Sequence, residues 1–134
     1  MRNGVRIGLT GLLSMSAMAI IAAAQPRALA PAAGGLWEVS QSATGHNADR
    51  ICVPTPDVLA QYEHRAGHCT RTTVSDSGTE AVIHYTCSDG GFGQSKVKLL
   101  TPRSLRIDTQ GISGNLPFHY QLHARRVGDC GAAR

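Results

Sequence analysis

The 134-residue chain has no Cys-x-x-Cys among its four cysteines, no His-Glu-x-x-His among its six histidines and no Gly-x-Ser-x-Gly around any serine. The first absence disfavours thioredoxin-like redox chemistry and standard zinc-finger spacing. The second removes the helical zinc-protease pattern, and the third removes the strand–turn–helix nucleophile elbow. Charge is sparse, at 16% of residues, and aromatics make up only 4%. There is no internal repeat and no second domain. After the first two dozen residues there is also no long apolar run.

What is present begins at the start of the chain. Arg2 and Arg6 form a short positive head, without a twin-arginine pair. An uncharged, mostly apolar run follows from Ile7 to Ala24 and ends on Ala22-Ala23-Ala24. This is the layout of a secretory signal peptide. At 18 residues, diluted by Gly8, Thr10, Gly11, Ser14 and Ser16, the run sits at the short edge of what spans a bilayer. A membrane role is therefore expected only through an uncleaved signal. Ala22-x-Ala24 is the preferred cleavage site. Ala28-x-Ala30 is the second, but it places Pro31 just after the scissile bond. No cysteine lies near either site, which argues against a lipid-anchored form. The expected organisation is a signal over residues 1–24, a flexible Ala/Pro/Gly-rich leader over 25–34, and one domain over 35–131. The expected location is periplasmic or secreted.

Signal removal takes Arg2 and Arg6 away. Eleven Lys and Arg against nine Asp and Glu then leave a net charge of +2. Arg125-Arg126 is the one adjacent basic pair. So small a surplus gives no expectation of a nucleic-acid partner.

In an exported chain of this size, four cysteines read as two disulfides. Ser75-Asp76-Ser77-Gly78 is a turn signal between two β-prone runs, Cys69–Val74 and Thr79–Cys87. A hairpin centred on Gly78 sets Cys69 opposite Cys87 and Val74 opposite Val82. Directly opposed residues lie within disulfide reach. Cys69 is therefore paired with Cys87, and Cys52 with Cys130 by exclusion.

The rest of the domain reads as short alternating strands. Leu36–Ser40 places Trp37 and Val39 on one face, with Trp37 as a core anchor. Ser42–Arg50 is a polar loop and Ile51–Val53 a short strand. Thr55 as N-cap, Pro56 at the first position and Asp57 in the first turn announce one short helix. Val58, Leu59 and Tyr62 form its apolar stripe, and Gly67 ends it. Ala81–Cys87, Gln94–Leu100, Leu105–Asp108 and Phe118–Ala124 follow, separated by Gly-, Pro- or Asn-bearing turns. In the last, Phe118, Tyr120, Leu122 and Ala124 point inward. The expected fold is mainly β: an antiparallel meander of about six strands, as a curved sheet or small barrel, with one short helix.

No site for chemistry emerges, and no enzyme activity, cofactor or metal is expected. His64 and His68 have i,i+4 spacing, but Gly67 falls between them. His119 and His123 share an outward strand face, too far apart for one ion. Glu38, Glu80 and Asp108 fall on solvent-side positions and form no acid–base pair. Gly90-Gly91-Phe92-Gly93 lies between two strands, whereas a phosphate cradle needs a following helix.

Three pieces of sequence carry a resemblance. Gly35-Leu36-Trp37-Glu38-Val39 opens the domain, Cys52-Val53-Pro54-Thr55-Pro56 leads into the helix, and Ala124-Arg125-Arg126-Val127-Gly128-Asp129-Cys130 closes it. With Cys69 and Cys87 between them, the chain resembles the exported bacterial family of Domain of Unknown Function 3617, over about Gly34 to Gly131. The resemblance implies an exported location, no established reaction, and structural roles for Trp37 and the four cysteines. Residues 42–50 depart from the pattern, being short and polar where other members carry a longer Met- and Pro-rich insert.

Two functions fit these features. One is a non-catalytic structural or interaction module of the cell envelope, acting on another envelope protein or the cell surface. The alternative is a carrier of a small apolar ligand, with a cavity lined by Trp37, Tyr85, Phe118 and Tyr120.

Overall fold

The computed structural model describes residues 25–131; the signal expected over 1–24 and its preferred cleavage site at Ala22-x-Ala24 lie outside the described residues. Seven strands form one antiparallel sheet: β1 (Gly35–Ser40), β2 (Asp49–Val53), β3 (Cys69–Asp76), β4 (Glu80–Cys87), β5 (Phe92–Thr101), β6 (Ser104–Ser113) and β7 (Leu116–Gly128). Their order is β2-β1-β7-β6-β5-β4-β3. The meander from β3 to β7 is built from adjacent hairpins. β1 then returns to pair with β7, Trp37 opposite Arg126 and Val39 opposite Ala124. The edges, β2 and β3, do not join, so the sheet is open rather than a closed barrel.

That order leaves the chain between β2 and β3 to travel from one edge of the sheet to the other. Pro56–His64 makes this crossing and covers the inner face, in contact with β2, β4, β5 and β6. It is the one short helix expected, wound as a 3-10 helix with a break at Gln61 (φ −99°, ψ 29°). Thr55 makes no side-chain cap bond, and the segment ends at His64 rather than running on to Gly67. The tighter 3-10 winding covers more distance per residue, about 2.0 Å against 1.5 Å, which suits a short crossing.

Strand alternation sorts the side chains as expected. Inner-face rows run across the sheet as Ala81–Val97–Ile107–Leu122 and Leu99–Leu105–Ala124–Val39. Trp37, Val53, Leu59 and Ala60 complete the buried core with them. Trp37 is fully buried, its indole N–H donating to the Ala33 carbonyl at 3.2 Å.

The leader is not loose. Arg27–Leu29 forms a 3-10 turn, Ala28 and Leu29 are fully buried, and the Arg27 and Ala28 amides bond to the Asp76 carboxylate at the end of β3. The expectation of a flexible segment over 25–34 is thus corrected. Its Ala/Pro/Gly composition has no period to read, yet Ala28 and Leu29 fill the core beside β4 and β5.

Both disulfides are formed. Cys69 and Cys87 are directly opposed with Cα atoms 4.0 Å apart, and Cys52–Cys130 spans 5.6 Å between β2 and the residues just after β7. The hairpin register holds from Cys69 to Thr73 and then shifts. Ser75, not Val74, faces Val82, and Val74 is left in the bulge, half exposed. A bulge of this kind blunts an edge strand against further pairing. No helix among the described residues is long and apolar enough to cross a membrane.

Candidate functional site

Two regions gather polar and aromatic side chains. The first is the end of the inner face beneath His64. The row Tyr85–Gly93–Gly111–Phe118 crosses four strands there, two rings flanking two glycines. A Cβ on Gly93 would stand 2.6 Å from the Tyr85 hydroxyl, so the missing side chain is what lets that ring lie across the sheet. His64 descends from the 3-10 helix between the two rings, with centroids 5.4 Å from Tyr85 and 5.9 Å from Phe118. Its Nδ1 is 3.0 Å from the Tyr85 hydroxyl. Its Nε2 is buried without a hydrogen-bond partner, against Gly91, where a Cβ would stand 2.2 Å away.

The neighbouring row, Ile83–Ser95–Thr109–Tyr120, carries hydroxyls instead of glycines. Ser95 donates to the Ala60 carbonyl, and its hydroxyl lies 2.8 Å from that of Thr109. Tyr120 donates to Glu63 and Tyr62 to Asp49. At the β3 edge, Arg71 holds Asp57 at 3.1 Å and also donates to Gln61. These bonds fasten the 3-10 helix to the sheet by satisfying groups that burial would otherwise leave unpaired, each contributing about 1 kcal/mol.

Burial sets the electrostatics here. Removal from water pushes the Tyr62 phenol up to about 12, helped by the Asp49 carboxylate that accepts its hydrogen bond. Burial, with Glu63 nearby, does the same to Tyr85, up to about 12. Tyr120 is raised by burial and by its bond to Glu63. All three tyrosines are thus held as neutral hydrogen-bonding groups, and this cluster holds the fold together.

The four side chains expected to line a carrier's cavity pack tightly instead. Trp37 and Tyr85 are at most 1% exposed. Phe118 and Tyr120 stack at 5.7 Å, and His64 occupies the space beside them. His64, read from its spacing as half of a possible metal pair, is a core residue, whereas His68 is exposed on the approach to β3. Sequence reasoning missed the His64–Tyr85 contact, although the glycines at inner positions 93 and 111 are the signal that something large must sit above them.

The second region is on the outer face. Here the row Thr72–His84–Gln94–Gln110–His119 crosses five strands. His84 donates to the Gln94 amide oxygen, and His119 contacts Asp108 at 2.8 Å. His119 and His123 occupy different rows of this face and converge on nothing, and no cluster of three metal-ligating side chains occurs among the described residues. Next to the amides, Phe92 is half exposed and borders a shallow hollow of about 270 Å³ with His84, Thr86, Gln94 and Gln110. Towards the other end of the sheet, Glu38 bridges Arg125 (2.9 Å) and Arg50 (3.1 Å), and the Arg125 guanidinium holds its carboxyl below the usual carboxylate range.

The fold and these regions define a disulfide-linked, single-sheet β domain whose inner face is closed by its own helix. The chain matches, over residues 26–130, the family described as a protein of unknown function (DUF3617), and it belongs to that family. No curated protein and no solved structure matches it.

Proposed function

We propose that this is an exported, periplasmic module of the cell envelope that works by binding rather than by catalysis. One observation carries the reading: the inner face is filled by the chain's own helix and leader, so the outer sheet face and the loops are what the domain offers to a partner. Two disulfides in a domain of this size support an oxidising compartment, in agreement with the secretory layout of residues 1–24. The buried His64–Tyr85 pair, with the half-buried Phe118 and Tyr120 beside it, is explained as packing.

Osmotic-shock fractionation of expressing cells, followed by intact mass with and without reductant, tests the location. The expected species lacks the segment before Gln25, sits in the shock fluid and gains about 4 Da on reduction, two hydrogens per bridge. Protein retained in the cytoplasm with four free thiols would defeat the proposal. A photo-crosslinking residue at Gln121 on the outer face is expected to capture envelope material in living cells, whereas one at Ile107 on the inner face is expected to capture none.

A further inference from the structure

We infer that the outer-face hollow beside Phe92 is a binding site for a neutral pyranose unit of a cell-envelope polysaccharide. The inference rests on the envelope reading above and gives that partner a chemistry.

The site lies on β4, β5 and β6, interior strands paired on both sides. Their backbone groups are already used in the sheet, so recognition falls to side chains. An extended peptide, which needs a free strand edge, is poorly served there. The side chains supply one exposed aromatic face, Phe92, and four hydrogen-bonding groups: the Thr86 hydroxyl, the Gln94 and Gln110 amides, and the His84 imidazole. The amide oxygen of Gln94 is engaged by His84, which turns its NH2 group free as a donor. Gln94 and Gln110 are directly opposed, on strands about 4.8 Å apart, so their amides can address neighbouring hydroxyls on one ring.

Charge narrows the ligand further. The next row of the face opposes Lys96 to Asp108, and Asp108 also contacts His119. The lining of the hollow itself holds no Lys or Arg to recognise a phosphate or carboxylate. An alkyl chain would cover Phe92 but strand four polar side chains, at a desolvation cost with no return. A pyranose ring matches both halves: its C–H face lies on the phenyl ring, and its hydroxyl edge meets the amides. An open hollow of this size predicts weak binding per ring, with Kd on the order of 1 mM, so that affinity comes from repetition along a polymer.

The test is a heteronuclear NMR titration of the oxidised mature protein with chitotetraose and, separately, maltotetraose. At least one is expected to shift the amides of Phe92, Gln94 and Gln110 in a saturable way. Phe92→Ala is expected to weaken that binding about tenfold and Gln110→Ala about threefold. Both variants should keep a dispersed spectrum, because both side chains lie on the outer face and outside the buried core. Leu116→Ala, exposed at the start of β7, is expected to bind as the unaltered protein does. Adenosine and 1-hexanol serve as competitors of other chemistry. No saccharide shift, an unchanged affinity in Phe92→Ala, or tighter binding of adenosine or hexanol at the same amides would each overturn the inference. The fractionation result is independent of all three, so loss of the sugar site would leave the envelope reading standing.

Discussion

The Nδ1 atom of His64 lies 3.0 Å from the hydroxyl of Tyr85, and this contact ties the end of the 3-10 helix to the fourth strand of the sheet. It is buried, and the other imidazole nitrogen has no hydrogen bond. Its role is therefore structural and measurable. His64→Ala is expected to cost about 2–4 kcal/mol, through the void beside Phe118 and the unpaired phenol. Tyr85→Phe, which keeps the ring, is expected to cost about 1–2 kcal/mol. A double-mutant cycle by urea denaturation checks the pair, and strict additivity would show that the contact contributes nothing.

The glycine floor under Tyr85 gives a second expectation. Gly93→Ala puts a methyl group 2.6 Å from the Tyr85 hydroxyl and 2.7 Å from its Cζ. The ring cannot retreat, because His64 sits above it. A loss of about 1–3 kcal/mol is expected from such overpacking, read as a fall in the thermal midpoint. Gly114→Ala, where a Cβ meets no neighbour but φ is +56°, should cost about 1 kcal/mol from backbone strain alone.

All three tyrosines resist ionisation, with Tyr62 and Tyr85 held up to about 12 and Tyr120 also raised, each chiefly by burial. In the unfolded chain they ionise near pH 10. Because the folded chain holds these protons more tightly, their contribution to stability is intact below about pH 10. It falls as pH rises from 10 towards 12, the unfolded state losing its protons first. Absorbance at about 295 nm should show no phenolate until the protein unfolds, in one step coincident with loss of the β signal in circular dichroism. Normal titration of any tyrosine near pH 10 in the folded protein would contradict this burial.

The bridges should differ in effect. Cys52–Cys130 closes a separation of 78 residues and Cys69–Cys87 one of 18. In the chain-entropy picture the first stabilises by about 4 kcal/mol and the second by about 3 kcal/mol. Replacing each pair by serines and measuring urea midpoints checks the order.

Much of this architecture is local and was legible. The turn at Ser75–Gly78 places Cys69 opposite Cys87 without knowledge of any other strand, and period-2 alternation sends Trp37, Leu122 and Ala124 to the inner face. The bulge at Val74 was not legible, because a one-residue slip near a turn leaves no mark on composition. Nor was the burial of Ala28 and Leu29: two apolar residues between prolines carry no period, and only the sheet they land on gives them a place.

The sequence by itself determined where most strands run, which faces their side chains take away from the Val74 bulge, and which cysteines can meet across a hairpin. These depend on neighbours a few positions apart. Only the tertiary structure decided that β1 lies between β7 and β2, that the sheet stays open, and that the helix crosses it to set His64 upon Tyr85. Alternation says that a residue points inward, but not which other inward residue it will meet. That choice depends on loop closure and packing between distant segments, where the shape of the whole core selects the partner.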